Sequence, residues 1–192
     1  RGASIPARCW RLPPDNCRGY AITVQPDGKI IALMGHNYLD LVLKVVRLYP
    51  DGRIDSTFGL NGIRELPGEY NLTADITLQP DGKILVAATD ENDNYTTIRL
   101  TANGSFDTGF GSSGVARITT GNGSELERCA DLFLQPDGKI LLGGMTGWRD
   151  ASIVRLRTNG TPDPSFSGDG KMRVAFGSGN FASFALISLV SF

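Results

Sequence analysis

One six-residue segment, Gln-Pro-Asp-Gly-Lys-Ile, occurs three times in the chain, at residues 25–30, 79–84 and 135–140. The copies stand about 55 residues apart, and this near-constant interval indicates an internal structural repeat. The flanking sequence repeats as well: a short apolar segment precedes each copy, and an Arg-Leu pair followed by Asp-Gly or Asn-Gly comes after it. We therefore expect three similar supersecondary units placed side by side.

Each repeat predicts four short strands. Pro and Gly of the hexapeptide are typical of a tight hairpin turn, and the apolar run that follows suits a buried second strand. A third strand ends at the Arg-Leu pair, and a fourth follows a Gly-rich corner. Four-stranded antiparallel units repeated at this interval are typical of β-propeller blades. The sequence thus predicts an all-β, β-propeller-like fold with three four-stranded antiparallel blades and the start of a fourth.

The repeat divides the chain into five segments. Residues 1–18 are an irregular leader, residues 19–73, 74–129 and 130–181 are the three blades, and residues 182–192 resemble the first strand of an incomplete or shared blade. Closed propellers typically have four to eight blades. We therefore expect the chain to associate with other copies of itself or with the rest of a longer chain.

The motif itself resembles a known family. The segment QPDGKI, followed by R-L-x-x-[DN]-G-x-x-D-x-x-F, is similar to the delta-60 repeat, a β-propeller repeat of large bacterial secreted and surface proteins. The resemblance covers residues 19–187. It implies an extracellular scaffold or binding repeat of bacterial origin, and it carries no catalytic residues that could be transferred to this chain.

Charge and hydropathy exclude two classes of partner. Lys plus Arg number 19 and Asp plus Glu number 20, so the basic patch expected of a nucleic-acid-binding protein is missing. No apolar run reaches the roughly 18 residues that a membrane span requires. The sequence predicts neither nucleic-acid binding nor a membrane-spanning segment.

Three cysteines bear on the compartment of the protein. Cys9 and Cys17 lie in the Pro- and Arg-rich leader, and a disulfide between them would fit a secreted protein. The alternative is that all three cysteines are inert thiols. Cys129 stands alone, and we expect it to be reduced or paired between chains. No CxxC motif is present and His36 is the only histidine, which argues against zinc.

Residues that recur in every repeat are interpreted as structural. The aspartate of each hexapeptide is expected to cap its own turn, although three such carboxylates also suggest a metal site. A second set of aspartates is expected to pair with the repeated arginines, and a set of phenylalanines is expected to fill the gaps between blades. In blade order these sets are Asp27, Asp81 and Asp137; Asp55, Asp107 and Asp163; Arg47, Arg99 and Arg155; and Phe58, Phe110 and Phe166.

Residues that do not recur are the candidates for function. In a blade of this topology the loops between strands two and three, and those between blades, emerge on the face opposite to the repeated turns. Aromatic rings mixed with carboxylates and amides suit the recognition of a glycan or a surface protein. The ligand-binding candidates on this variable face are His36, Tyr38, Asp90, Asp93, Tyr95, Trp148, Arg149 and Asp150. The alternative is an ordinary solvated loop surface.

Two further activities have little sequence support. Asp90, Asn92 and Asn94 alternate like the first ligands of a calcium loop, but the later Gly and bidentate Glu of such a loop are missing. A Ser-His-Asp triad would have to use His36, and no G-x-S-x-G segment exists. We therefore expect no metal, no cofactor and no catalytic residue.

These observations favour a non-enzymatic extracellular structural or adhesive repeat protein that belongs to a larger assembly. The alternative is a carbohydrate-binding lectin that uses the variable-loop face.

Overall fold

Three antiparallel sheets of four strands each form the part of the chain that the structure describes. The computed structural model describes residues 17–36, 42–120, 126–147 and 150–175. The first sheet contains β1 (Cys17–Val24), β2 (Ile30–His36), β3 (Leu43–Leu48) and β4 (Ile63–Glu65); the second contains β5 (Tyr70–Leu78), β6 (Ile84–Asp90), β7 (Tyr95–Leu100) and β8 (Val115–Ile118); the third contains β9 (Glu127–Leu134), β10 (Ile140–Thr146), β11 (Asp150–Leu156) and β12 (Lys171–Val174). Strands pair in chain order within each sheet, which confirms the predicted all-β, propeller-like fold.

The repeated turn forms because its glycine takes a conformation that other residues avoid. In the first sheet Gly28 has a φ of 82° and its N–H donates to the Gln25 carbonyl at 2.9 Å. Gly82 and Gly138 repeat this geometry. Glycine has no Cβ, so it adopts this left-handed conformation at little cost.

The described residues form no helix that could cross a membrane.

The first strand of each sheet begins before the boundaries drawn from the repeat, at Cys17, Tyr70 and Glu127. In all three sheets the register of the first strand shifts where the repeated segment starts, as it does between Gly19 and Ala21. The residues before this bulge do not recur in sequence, so the repeat did not reveal them. Residues 1–16, with most of the leader, and residues 182–192, the predicted start of a fourth blade, lie outside the described residues.

Two apolar cores lie between successive sheets. One packs the first sheet against the second and includes Leu33, Val45 and Ile84. The other packs the second sheet against the third and includes Leu85, Ile140 and Val154. The middle sheet is therefore covered on both faces, and every residue of β6 and β7 is buried.

Two of the three repeated phenylalanines lie between described sheets, as predicted. Phe58 and Phe110 are 0% exposed, and each ring approaches a turn glycine of the following sheet, Gly104 or Gly160. A Cβ at Gly104 would lie 2.8 Å from the Phe58 ring, and one at Gly160 would lie 2.9 Å from the Phe110 ring. Phe166 of the third sheet is only half-buried.

We predict that Gly104→Ala destabilises the protein more than Gly168→Ala does. Both glycines have positive φ (83° and 91°), so each variant incurs about 1–2 kcal/mol of backbone strain. Only at Gly104 does the new methyl group also meet an aromatic ring, because nothing lies within 4 Å of a Cβ at Gly168. Crowding of this kind typically costs about 1–3 kcal/mol more. Chemical denaturation measures both variants, and equal losses would contradict the proposed ring–glycine contact.

Candidate functional site

The repeated aspartates of the hexapeptide are turn residues. In the second sheet the Asp81 carboxylate accepts the Lys83 N–H at 3.2 Å and pairs with the Lys83 ammonium at 3.1 Å. Asp27 and Asp137 make the same contacts with Lys29 and Lys139. The prediction that these carboxylates cap their own turns is confirmed.

The second set of aspartates joins the third strand of each unit to the hairpin that precedes the second strand, through ion pairs. Asp107 lies 2.8 Å from Arg99 Nε and 3.3 Å from Lys83 Nζ. Asp55 and Asp163 repeat these pairs with their own Arg and Lys at similar distances. The predicted Arg–Asp pairs are therefore confirmed in all three sheets.

These contacts hold the repeated carboxylates in their charged form. Burial raises the pKa of Asp163, but the Ser165 hydroxyl and N–H and the Lys139 ammonium outweigh it and lower that pKa to about 2. The pKa of Asp107 is lowered by the same balance, in which burial is opposed by the Gly109 N–H and the charges of Arg99 and Lys83.

The loops predicted to share the variable face do meet there. The Glu91 N–H, in the loop between β6 and β7, donates to the Glu69 carbonyl in the loop between β4 and β5 at 3.1 Å. The Thr119 hydroxyl, which follows β8, donates to Asn94 Oδ1 at 2.7 Å. The Gly147 N–H donates to the Leu126 carbonyl at 3.0 Å. These contacts connect loops from within blades to loops between blades.

Asp90 organises the loop of the second sheet on this face. Its carboxylate accepts the N–H groups of Asn92 and Asn94 at 3.0 and 2.9 Å and the Thr96 hydroxyl at 3.1 Å, and it pairs with Arg117 Nε at 3.3 Å. Its side chain is only 1% exposed. The loop resembled the start of a calcium site in sequence, but here the Asp90 oxygens bind the loop's own donors. Asp90 closes the hairpin rather than facing outward.

Tyr95 corrects the expectation that it lies on the exposed variable face. Its side chain is 0% exposed and packs in the core between the second and third sheets. Its hydroxyl makes a short hydrogen bond with the Ser152 hydroxyl and also donates to the Arg128 carbonyl at 3.1 Å. Gly144 makes room for this group, since a Cβ there would lie 2.2 Å from the Tyr95 hydroxyl. Tyr95 therefore joins two blades and cannot reach a ligand in solution.

Three of the remaining candidates, Asp150, Asp93 and His36, lie among the described residues. Asp150 begins β11 and accepts a hydrogen bond from Arg173 Nε at 2.6 Å, with its side chain 13% exposed. Asp93 has a φ of 59° and its N–H donates to the Asp90 carbonyl at 3.0 Å. His36 ends β2. The candidates Tyr38, Trp148 and Arg149, together with Cys9, lie outside the described residues. Cys17 is described only as the first residue of β1.

Two further polar groups, the buried Glu127 and the partly buried Asp75, are not among the ligand-binding candidates. Glu127 is 1% exposed and accepts the Thr120 N–H at 2.9 Å, so the start of β9 contacts the residues that follow β8. Asp75, on the first strand of the second sheet, accepts the Leu132 N–H of the third sheet at 3.0 Å. Burial, together with the nearby Asp131 carboxylate, raises the pKa of Asp75. The only sequence signal for Asp75 and Asp131 is that an Ala-Asp pair recurs in β5 and β9.

Cys129 is a buried thiol of the core between the second and third sheets. It is 1% exposed, forms no disulfide with a described residue, and its N–H donates to the Thr89 hydroxyl at 2.8 Å. Burial raises the pKa of the thiol well above its usual range. The position favours a reduced thiol over a disulfide between chains, because a partner sulfur cannot approach it without opening the core.

Comparison with known proteins places the repeats in a class. The model of a family described as a β-propeller domain of unknown function (DUF5122) matches residues 79–110 and 135–166, about a third of the chain. Each match runs from the Gln of the hexapeptide to the repeated Phe. Together with the three four-stranded sheets, this match supports a β-propeller repeat family. None of the curated proteins compared with the chain matches it.

Solved structures with a similar backbone include a catalytically inactive virginiamycin B lyase from Staphylococcus aureus with quinupristin. It is 19% identical at a TM-score of 0.49, and the alignment covers 88% of this chain and 45% of the lyase. A protein of unknown function from Bacteroides caccae is 13% identical at a TM-score of 0.34, over 84% of this chain and 73% of that one. The chain thus spans less than half the length of the lyase. Neither similarity carries a conclusion about activity.

We predict that Tyr95→Phe destabilises the protein by about 1–3 kcal/mol, because it leaves the buried Ser152 hydroxyl without its partner. Ser152→Ala should cost a similar amount for the same reason. The double variant should lose less than the sum, since both polar groups are then removed together. Chemical denaturation of the three variants measures this coupling. Strictly additive losses would contradict a direct hydrogen bond between the two hydroxyl groups.

We predict that the repeated carboxylates make the protein acid-labile. The pKa of Asp163 is about 2 in the folded chain and near 4 when unfolded, so its contribution is fully present above pH 4. That contribution is lost as the pH falls from about 4 to 2. Asp163→Asn should therefore lower stability at pH 7 and flatten its decline between pH 4 and 2. The surface variant Glu65→Gln serves as the control. An unchanged pH profile in Asp163→Asn would contradict the prediction.

Proposed function

We propose that the protein is a non-enzymatic β-propeller repeat protein with a structural or adhesive role outside the cell, and that it works as part of a larger assembly. The observation that carries this proposal is that the described polar side chains bind other parts of the same chain. The buried carboxylates and the repeated arginines bind neighbouring turns, loops and sheets of the same chain. Side chains committed in this way stabilise an array of sheets.

The variable face supports the same proposal. Asp90, Asp150 and Tyr95, three of its predicted ligand-binding residues, are buried or nearly so and make hydrogen bonds within the chain. A glycan site would need exposed rings and hydrogen-bonding groups. Within the described residues this face offers loops held in fixed positions, which suits the presentation of a surface to another macromolecule.

The extracellular location is inferred from the likeness of the repeats to the delta-60 repeats of bacterial surface proteins. Labelling intact cells of the source organism with a membrane-impermeant amine reagent tests it. We expect the protein to be labelled without cell lysis, and a cytoplasmic enzyme from the same cells serves as the control. Labelling only after lysis would contradict the proposed location.

A glycan array and a panel of glycoside and ester substrates test the function itself. We expect neither saccharide binding nor turnover by the purified protein. Saccharide binding that disappears in Trp148→Ala would support the lectin alternative and contradict a purely structural role. Turnover that disappears in His36→Ala would show an enzyme. Both variants need an unchanged thermal transition, so that a loss of signal is not a loss of fold.

A further inference from the structure

Successive sheets contact one another through a set of interactions that occurs twice in the described chain. Between the first and second sheets, Arg47 Nη1 donates to the Ala102 carbonyl at 2.8 Å and the Gly59 N–H donates to the Asn103 carbonyl at 2.9 Å. Between the second and third, Arg99 Nη1 donates to the Thr158 carbonyl and the Gly111 N–H to the Asn159 carbonyl at 2.8 Å. In each case one sheet supplies an arginine, a backbone N–H and a phenylalanine. The next sheet supplies a turn with two carbonyls and a glycine.

The third sheet carries the donor half of this contact with nothing described opposite to it. Arg155 has the same kinds of internal partner as Arg47: Asp163 at 2.9 Å from Nε, Ser165 at 2.9 Å from Nη2, and the Phe166 ring 4.8 Å beneath its guanidinium group. Among the described residues no carbonyl lies opposite Arg155 Nη1. The side chain of Arg155 is 19% exposed, against 9% for Arg47 and for Arg99. Met172 on the same face is 43% exposed.

The first sheet carries the acceptor half. Its turn contains Pro50, Asp51 and Gly52 at the places of Ala102, Asn103 and Gly104 in the second sheet. Gly52 has a φ of 83°, the value also found at Gly104. A Cβ at Gly52 would meet nothing within 4 Å, whereas the equivalent glycines of the other sheets lie beneath a phenylalanine ring.

The first strand of the same sheet is exposed in the same way. Ile22 on β1 is 72% exposed, whereas the residues at its place in the second and third sheets, Ile76 and Leu132, are 5% and 6% exposed. Val24 is 58% exposed. Apolar side chains that are buried between sheets in the interior of the array therefore lie open on its first face.

We propose that the open face of the third sheet docks onto the first sheet of a second copy of this chain. In that contact Arg155 Nη1 binds the Pro50 carbonyl, the Ser167 N–H binds the Asp51 carbonyl, and the Phe166 ring covers Gly52. Residues 1–16 and 176–192 contain no Asp-Gly or Asn-Gly pair of the kind that forms the acceptor turn in the two internal contacts. The proposal rests on the assembly role proposed above and names the surface through which it occurs.

The two halves of the contact differ, so the association is head-to-tail rather than two-fold between identical patches. Two copies joined at both ends bring six of the described sheets together, within the four to eight blades of closed propellers. A pair of variants tests this directly. Phe166→Asp disables the donor face and leaves the acceptor face intact, and Ile22→Asp does the reverse.

Sedimentation velocity and light scattering measure the outcome. We expect the parent protein to have at least twice the mass of the 20.6 kDa chain, and each variant alone to have the mass of one chain. An equimolar mixture of the two variants should form a one-to-one complex, since it restores one intact donor–acceptor contact. This recovery also shows that both variants are folded. Met172→Asp is a second donor-face variant that should behave like Phe166→Asp, and Thr108→Asp, at an exposed residue of the middle sheet, should behave like the parent.

A parent protein with the mass of one chain would overturn the proposal. So would variants that associate as well as the parent, or a mixture in which no complex forms. Association that persists in both variants would leave the assembly role standing and refute these faces as its site. Saccharide binding or turnover would instead refute the proposed function and leave the docking result unaffected.

Discussion

The contact of a phenylalanine ring with a turn glycine of the next sheet is the interaction on which the arrangement of the sheets depends. The ring lies beneath a guanidinium group, at 4.9 Å for Arg47 over Phe58 and 4.5 Å for Arg99 over Phe110. The same arginine binds an aspartate of its own sheet and a carbonyl of the next one. Because one side chain contacts all three partners, it links the turn within a sheet to the contact between sheets. The backbone can approach the ring this closely only where the turn residue has no Cβ.

The two internal interfaces share this contact and differ in their apolar cores. At the place where the first sheet has Leu43, the second has Tyr95, whose hydroxyl needs a partner once it is buried. The third sheet provides Ser152 as the hydrogen-bond partner, and its Gly144 leaves space for the hydroxyl group. The repeat thus maintains its polar contacts at the turn, while the core between each pair of sheets is matched residue by residue. Such matching fixes which sheet follows which.

The fold was predictable from the sequence because its turns recur with the same residues. Gln-Pro-Asp-Gly-Lys located three hairpins, and the recurring Arg, Asp and Phe located the ion pairs and the rings between the sheets. The candidate site was less predictable. Tyr95 directly follows a polar loop, a position that predicts an exposed ring, although its strand begins at that residue and the ring points inward. Asp90 has the pattern of a ligand, yet its lone pairs are used by the loop N–H groups. A single sequence does not show which neighbouring loop or sheet a side chain contacts. The roles of Tyr95 and Asp90 depend on those contacts.

An array built from one repeated interface distributes its stability unevenly. The energy of each sheet depends mainly on its neighbours, so a sheet with two neighbours gains twice the interfacial burial of a sheet with one. In the middle sheet every residue of β6 and β7 is buried. In the first sheet, by contrast, Ile22 and Val24 on β1 are exposed, and in the third sheet Arg155 is partly exposed. In a single copy we therefore expect the outer sheets to open before the middle sheet when the chain is destabilised. A further sheet docked at either end therefore increases the stability of the outer sheets most. It buries apolar side chains that the fold already holds in position, so the added cost in conformational entropy is small.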